Sequence, residues 1–138
     1  MLEKSKPSLR NFMGEGVYDG FSIAKATSEH ANILQHNLRD SDVRECIIHG
    51  ASPFRALMSG IREKGENYTC IIDREPICMF GVNPIMQMMI GRIWLLGSYE
   101  IEKRGRKFIR WSQSVVNYYQ EKYYQLENVV PADHKDTI

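Results

Sequence analysis

Residues 21–26 alternate apolar and polar side chains, the period-two pattern of a strand with one buried face. From Ser28 the spacing changes to that of a helix running to about Leu38, with Ala31, Leu34 and Leu38 on one stripe. Asp42 followed by Glu45 reads as a capping box, so a short second helix is predicted between Asp42 and a stop at Gly50. Ser52-Pro53 places a capping residue before a proline at the first helical position. Phe54, Leu57, Met58 and Ile61 then follow the i, i+3, i+4, i+7 rule, and Gly65 ends the third helix. Gly60 inside that helix weakens it.

Beyond Tyr68 the pattern becomes strand-like again. Residues 68–73 and 77–82 are two β-type runs, and residues 73–76 between them are short enough for a hairpin. Asn83-Pro84 predicts a break. Residues 93–97 are apolar without alternation, which predicts a strand covered on both faces and central in its sheet. Residues 103–124 read as the longest helix, with Phe108, Trp111, Val115, Tyr119 and Tyr123 on its apolar stripe. Residues 126–130 return to strand character and Pro131 ends them. The predicted order is β, α, α, α, β, β, β, α, β. Residues 91–130 form a β-α-β unit, which implies two parallel strands.

At 138 residues the chain is expected to form a single domain over residues 16–138, behind a flexible polar arm over residues 1–15. Apolar residues make up 43% and charged residues 25%, the balance of an ordinary globular protein. The net charge of +1 offers no general attraction to nucleic acid or an anionic membrane. No apolar run is long enough to span a bilayer, and the first residues lack the apolar core of a secretory signal. Cys46, Cys70 and Cys78 contain no C-x-x-C pair and read as buried thiols in a reducing compartment. His30, His36, His49 and His134 are scattered, so no metal site is expected. Met86, Met88 and Met89 suggest a hairpin tip or an exposed partner surface. The closing residues, where Asp133 could cap a further helix, lead to the expectation that the natural chain continues past Ile138.

The segment most suggestive of chemistry is residues 93–110. A strand runs into a helix whose start holds Lys103, Arg104, Gly105, Arg106, Lys107 and Arg110. Cations oppose the helix macrodipole there, and a bound anion reverses that penalty. One reading is therefore a pyrophosphate site; another is a solvated basic patch with the helix starting nearer Lys107. Contact with nucleic acid is disfavoured by the near-neutral charge and the absence of an interleaved aromatic platform. Tyr99 and Glu100 follow the strand, at the edge where α/β sheets bind ligands. There a Glu acts as a general base and a Tyr as a general acid, the alternative being an exposed loop pair.

This element order resembles the acyl-CoA N-acyltransferase (GNAT) superfamily. The runs 41–45, 50–54, 79–82, 93–97, 108–110 and 126–129 more narrowly resemble GNAT-like proteins of tailed phages, including the podophage internal virion protein A group. The resemblance implies an α/β fold with a mixed α+β sheet, truncated at the C-terminus. It implies acetyl-CoA in a V-shaped opening between strands 93–98 and 126–130. The cofactor would lie along Leu96, Gly97 and Ser98, with its pyrophosphate on Lys103, Arg104, Gly105, Arg106 and Lys107. Amides at Ser98 and nearby would polarise the thioester, and Glu100 would help deprotonate an amine acceptor. The usual glycine-rich phosphate signature is reduced to Gly105. The second implication is a non-catalytic virion or assembly protein, partnered by phage structural proteins in the host cytoplasm or virion.

Overall fold

The computed structural model describes residues 14–18, 21–62, 64–85 and 89–128. In chain order the elements are β1 (Gly16–Tyr18), β2 (Phe21–Lys25), α1 (Ser28–Leu34), α2 (Asp40–Ile48), α3 (Pro53–Gly60), β3 (Glu66–Ile72), β4 (Glu75–Ile85), β5 (Ile90–Gly97), α4 (Glu100–Lys103), α5 (Arg106–Gln120) and β6 (Gln125–Glu127). The strands form one mixed sheet in sequential order, antiparallel throughout except for the parallel β5–β6 pair. The predicted β-α-β unit is thus present, with β6 opposite residues 90–92 at the start of β5. Expected strand positions 129–130 lie outside the described residues, as do Met86, Met88, Asp133 and His134.

Alternation divides the sheet into two faces. Cys78, Phe80 and Val82 of β4 point toward α5 and join Phe21, Ile23, Cys70, Phe108, Trp111, Val115 and Tyr119 in the larger core. Met79 of β4 and Leu96 of β5 point the other way and pack with Ala31, Leu34, Cys46 and Leu57 of α1, α2 and α3. On this second face Trp94 Nε1 donates to Asn67 Oδ1 (2.8 Å), Asn67 Nδ2 to Asn83 Oδ1 (3.1 Å), and Asn83 Nδ2 to the Gly60 carbonyl (2.9 Å). The chain ties the end of α3 to the sheet, and a side chain at Gly60 would stand 2.5 Å from the Trp94 ring. Close approach to Trp94 therefore selects the glycine that looked unfavourable for a helix.

Several local signals read correctly. Ser52 caps α3 by accepting from Arg55 N–H, and α2 ends at Ile48 with His49 as its C-cap, just before Gly50. Others shift. Thr27, not Ser28, caps α1, accepting from His30 N–H at 3.1 Å, and α1 stops at Leu34. α2 begins at Asp40 with Arg39 in the cap position and no side-chain cap, so Asp42 lies within its first turn and accepts from Gly97 N–H instead. β1, only 3 residues long, is too short for a periodicity to register.

Pro84 does not break the chain; β4 continues to Ile85. In the β4–β5 ladder Pro84 faces Gly91, and its nitrogen points toward β3, whose pairing already ends at Glu66↔Val82. No ladder hydrogen bond is lost there. The strand buried almost throughout is β4, from Pro76 to Asn83. Residues 93–95 of β5 are only half-buried, and among the described residues the β6 pairing stops at Arg92.

The β3–β4 hairpin turns on two residues, Asp73 (φ 51°) and Arg74 (φ 69°). Both positive angles mark a type I′ turn, whose second position favours glycine. Arg74→Gly is expected to raise stability by about 0.5–1 kcal/mol, read as a higher urea midpoint at unchanged slope.

All three cysteines are buried, and Cys70 faces Cys78 across the β3–β4 ladder. Burial, with Asp42 and Glu45 nearby, pushes the Cys46 thiol up to about 11, and burial raises Cys78 too. A thiol that resists ionisation when folded loses its proton first in the unfolded chain. Its stabilising effect is therefore complete below the ordinary thiol range and lost as pH rises toward about 11. Cys46→Ala should lose less stability over that interval than the parent in urea melts. The native protein at pH 8 should leave a disulfide reagent unreacted for minutes, while the urea-unfolded chain titrates all 3 thiols.

Candidate functional site

The predicted long helix is two. α4 closes at Lys103, Arg104 follows, and Gly105 turns the chain at φ 55°, ψ −125° into α5. That backbone conformation suits glycine and explains the residue at 105. Acidic Glu100 and Glu102 occupy the first turn of α4, where the macrodipole favours them. The first turn of α5 carries no acid and begins with Arg106 and Lys107. Lys103, Arg104, Gly105, Arg106 and Lys107 are all exposed at this corner. Lys103 and Arg104 pair with Glu100 at 3.2 and 3.6 Å. Arg106, Lys107 and Arg110 make no ion pair among the described residues.

The corner's amides are partly committed: Gly105 N–H donates to the Glu102 carbonyl and Lys107 N–H to that of Arg104, both at 3.3 Å. An anion held here would rest chiefly on the side chains of Arg106, Lys107 and Arg110.

Ser98, Tyr99, Glu100 and Arg104 line one depression of about 430 Å³ at the end of the sheet, with Asn37, Asp73, Glu75 and Ile77. Ser98 is buried; its N–H and its Oγ both donate to the Ile77 carbonyl, and its Oγ accepts from Glu100 N–H at 3.3 Å. Leu96 contributes its side chain to the smaller core and pairs with Met79. Tyr99 is half-exposed. Its hydroxyl accepts the Asp40 N–H at 2.9 Å, which fixes the oxygen and leaves its own proton available for donation.

Ser98 N–H and the β4 register show that even-numbered residues of β5 bond to β4. The backbone groups of Ile93, Leu95 and Gly97 therefore face the opposite edge. At Gly97 that edge is covered. Arg39 N–H donates to the Gly97 carbonyl at 2.9 Å, Leu38 bridges to Ser98, and Gly97 N–H donates to Asp42 Oδ2 at 2.8 Å. Arg39 Nε and Nη2 reach the same oxygen at 3.1 and 2.9 Å.

Sequence reading missed the contribution of residues 37–42 to this site. Asp42 was legible only as a helix cap, since its partner Gly97 is 55 residues away.

Among the described residues no cluster of three His, Cys, Asp or Glu side chains could hold a metal, and no helix is long and apolar enough to cross a membrane.

No family model and no curated protein matches the chain. Solved structures do. The chain is similar to a GNAT-family acetyltransferase from Bacillus anthracis, at TM-score 0.57 and 12% identity over 86% of this chain and 74% of that one. It is also similar to a protein described as a GNAT-family acetyltransferase from Xanthomonas campestris pv. campestris, at TM-score 0.50 and 11% identity over 90% and 82% of the two chains. With a mixed sheet whose one parallel pair is bridged by α4 and α5, the chain has the GNAT acyltransferase fold.

Proposed function

We propose that this chain binds acetyl-CoA along the outward edge of β5, between its β6 pairing and Gly97, and passes the acetyl group to an amine. The observation that carries the reading is the convergence of Ser98, Tyr99, Glu100 and Arg104 on one depression at the end of β5, beside the α5 cations that make no ion pair among the described residues, in a GNAT fold. Acetyl-CoA would supply an acetyl thioester. The chain's own part would be to hold phosphate with Arg106, Lys107 and Arg110, to accept at Glu100 the proton the amine loses, and to offer one from the Tyr99 hydroxyl to the departing CoA sulfur. The phosphate end fits the residues present. The acyl end does not fit this conformation, because the amides of Gly97 and Ser98 are both bonded within the chain.

Calorimetric titration with acetyl-CoA tests the binding. Micromolar affinity is expected, and the absence of heat and of any thermal shift at millimolar concentration ends this reading.

A second reading has a specific observation in its favour. The bonded amides at the end of β5, together with exposed Ile33, Ile47 and Ile48 on the helical face, also suit a phage-encoded virion or assembly protein that reuses the fold without chemistry. Acetyl transfer to an amine that Arg104→Ala combined with Arg106→Ala abolishes counts against it. Recovery of the protein in purified particles, with no such transfer, supports it.

A further inference from the structure

We infer that Asp42 is a specificity-determining residue that closes the acyl end of the β5 edge, so that the chain as folded gives an acyl carbonyl no bond at Gly97 and binds an acyl-CoA no better than CoA itself. The inference rests on the acyl-CoA reading of the site.

Three observations lead to it. First, beyond the β6 pairing, the outward amides of β5 are those of Ile93, Leu95 and Gly97, and Gly97 is the last before the depression. A carbonyl lying along this edge and pointing toward Ser98 needs the Gly97 proton. Second, that proton is already held by a carboxylate. Asp42 is 5% exposed, and its Oδ2 takes the Gly97 N–H together with two donors from Arg39. A bond to an ionised acceptor is about twice as strong as one to a neutral carbonyl, and a buried carboxylate stripped of a donor is heavily penalised. A thioester oxygen therefore does not displace Asp42 in an equal exchange. Third, the carboxylate is fastened from both sides. Leu38 and Arg39 pair with Ser98 and Gly97, Asp40 N–H holds the Tyr99 hydroxyl, and Arg39 reaches Glu102 at 3.8 Å. The junction between α1 and α2 acts as a strap across the end of β5. Free CoA, which has a thiol and no acyl oxygen, makes no claim on the Gly97 proton. Acyl transfer requires the strap to withdraw, and removal of the Asp42 carboxylate should have the same effect.

The test is parallel titration of CoA and acetyl-CoA against the parent chain and Asp42→Ala. In the parent the two affinities are expected within about twofold of each other. In Asp42→Ala, CoA affinity should stay within about twofold of the parent value while acetyl-CoA gains at least tenfold over CoA. If Asp42→Ala does not fold by circular dichroism, Asp42→Asn keeps the shape with a neutral acceptor and should show at least a threefold preference for acetyl-CoA. A parent chain that already prefers acetyl-CoA tenfold overturns the inference. So does a folded variant that binds CoA without the expected preference. Binding of neither compound by either protein overturns the acyl-CoA reading itself, and the gate with it, an outcome distinct from the other two.

Discussion

Trp111→Ala is expected to lower the unfolding free energy by about 3–5 kcal/mol, enough to leave a domain of ordinary stability largely unfolded at room temperature in mild denaturant. Trp111 is fully buried at the point where α5 meets the sheet. Its ring stands edge-on to Phe21 at 5.8 Å and to Phe80 at 5.0 Å, and is tilted against Phe108 at 5.4 Å. These partners come from β2, β4 and α5 itself, so one truncation empties a space that three elements share. Small-residue collapse cannot refill it, because the interior is already close-packed. Urea unfolding followed by circular dichroism measures the change. Trp111→Phe should restore more than half of the loss, since it keeps an aromatic ring for the edge-to-face contacts. A loss below about 1 kcal/mol for the alanine variant would show that α5 is not the main cover of this face.

The second large effect concerns ligand affinity. Arg104→Ala with Arg106→Ala should weaken acetyl-CoA binding at least tenfold, with a steeper affinity loss in the parent than in the variant as salt is raised. The free protein should respond in the opposite sense. The Arg104–Glu100 pair is exposed and contributes little, while a cation removed from the first turn of α5 relieves its repulsion with the helix dipole. Unchanged or slightly higher thermal stability, with much weaker binding, separates an anion site from a solvated basic patch. Equal affinities in parent and variant would identify the patch.

The chain order of the elements was almost entirely legible in advance, and the reasons are local. Ser52-Pro53 starts α3 whatever surrounds it, because the cap and the proline act on their own first turn. The hairpin between β3 and β4 follows from a short polar interval between two β-type runs. The aromatic stripe of α5 follows from a spacing its own backbone enforces. The candidate site was legible only as a segment. Ser98, Tyr99, Glu100 and Arg104 are neighbours in sequence, and the structure adds that they line one depression with Asn37, Asp73 and Glu75.

What the amino-acid sequence by itself determined, then, is a set of features fixed within a turn or two: the Ser52 cap, the β3–β4 hairpin, strand periodicity and the basic cluster after β5. Tertiary structure alone decided that Pro84 lies at a ladder position needing no donor, that Gly60 makes room for Trp94, and that Asp42 meets Gly97 across the sheet's end. The physical reason is the same in each case. A side chain's polar group goes to whichever donor or acceptor the fold brings within about 3 Å, and that partner is chosen by strand pairing between distant segments, for which the nearby residues carry no record.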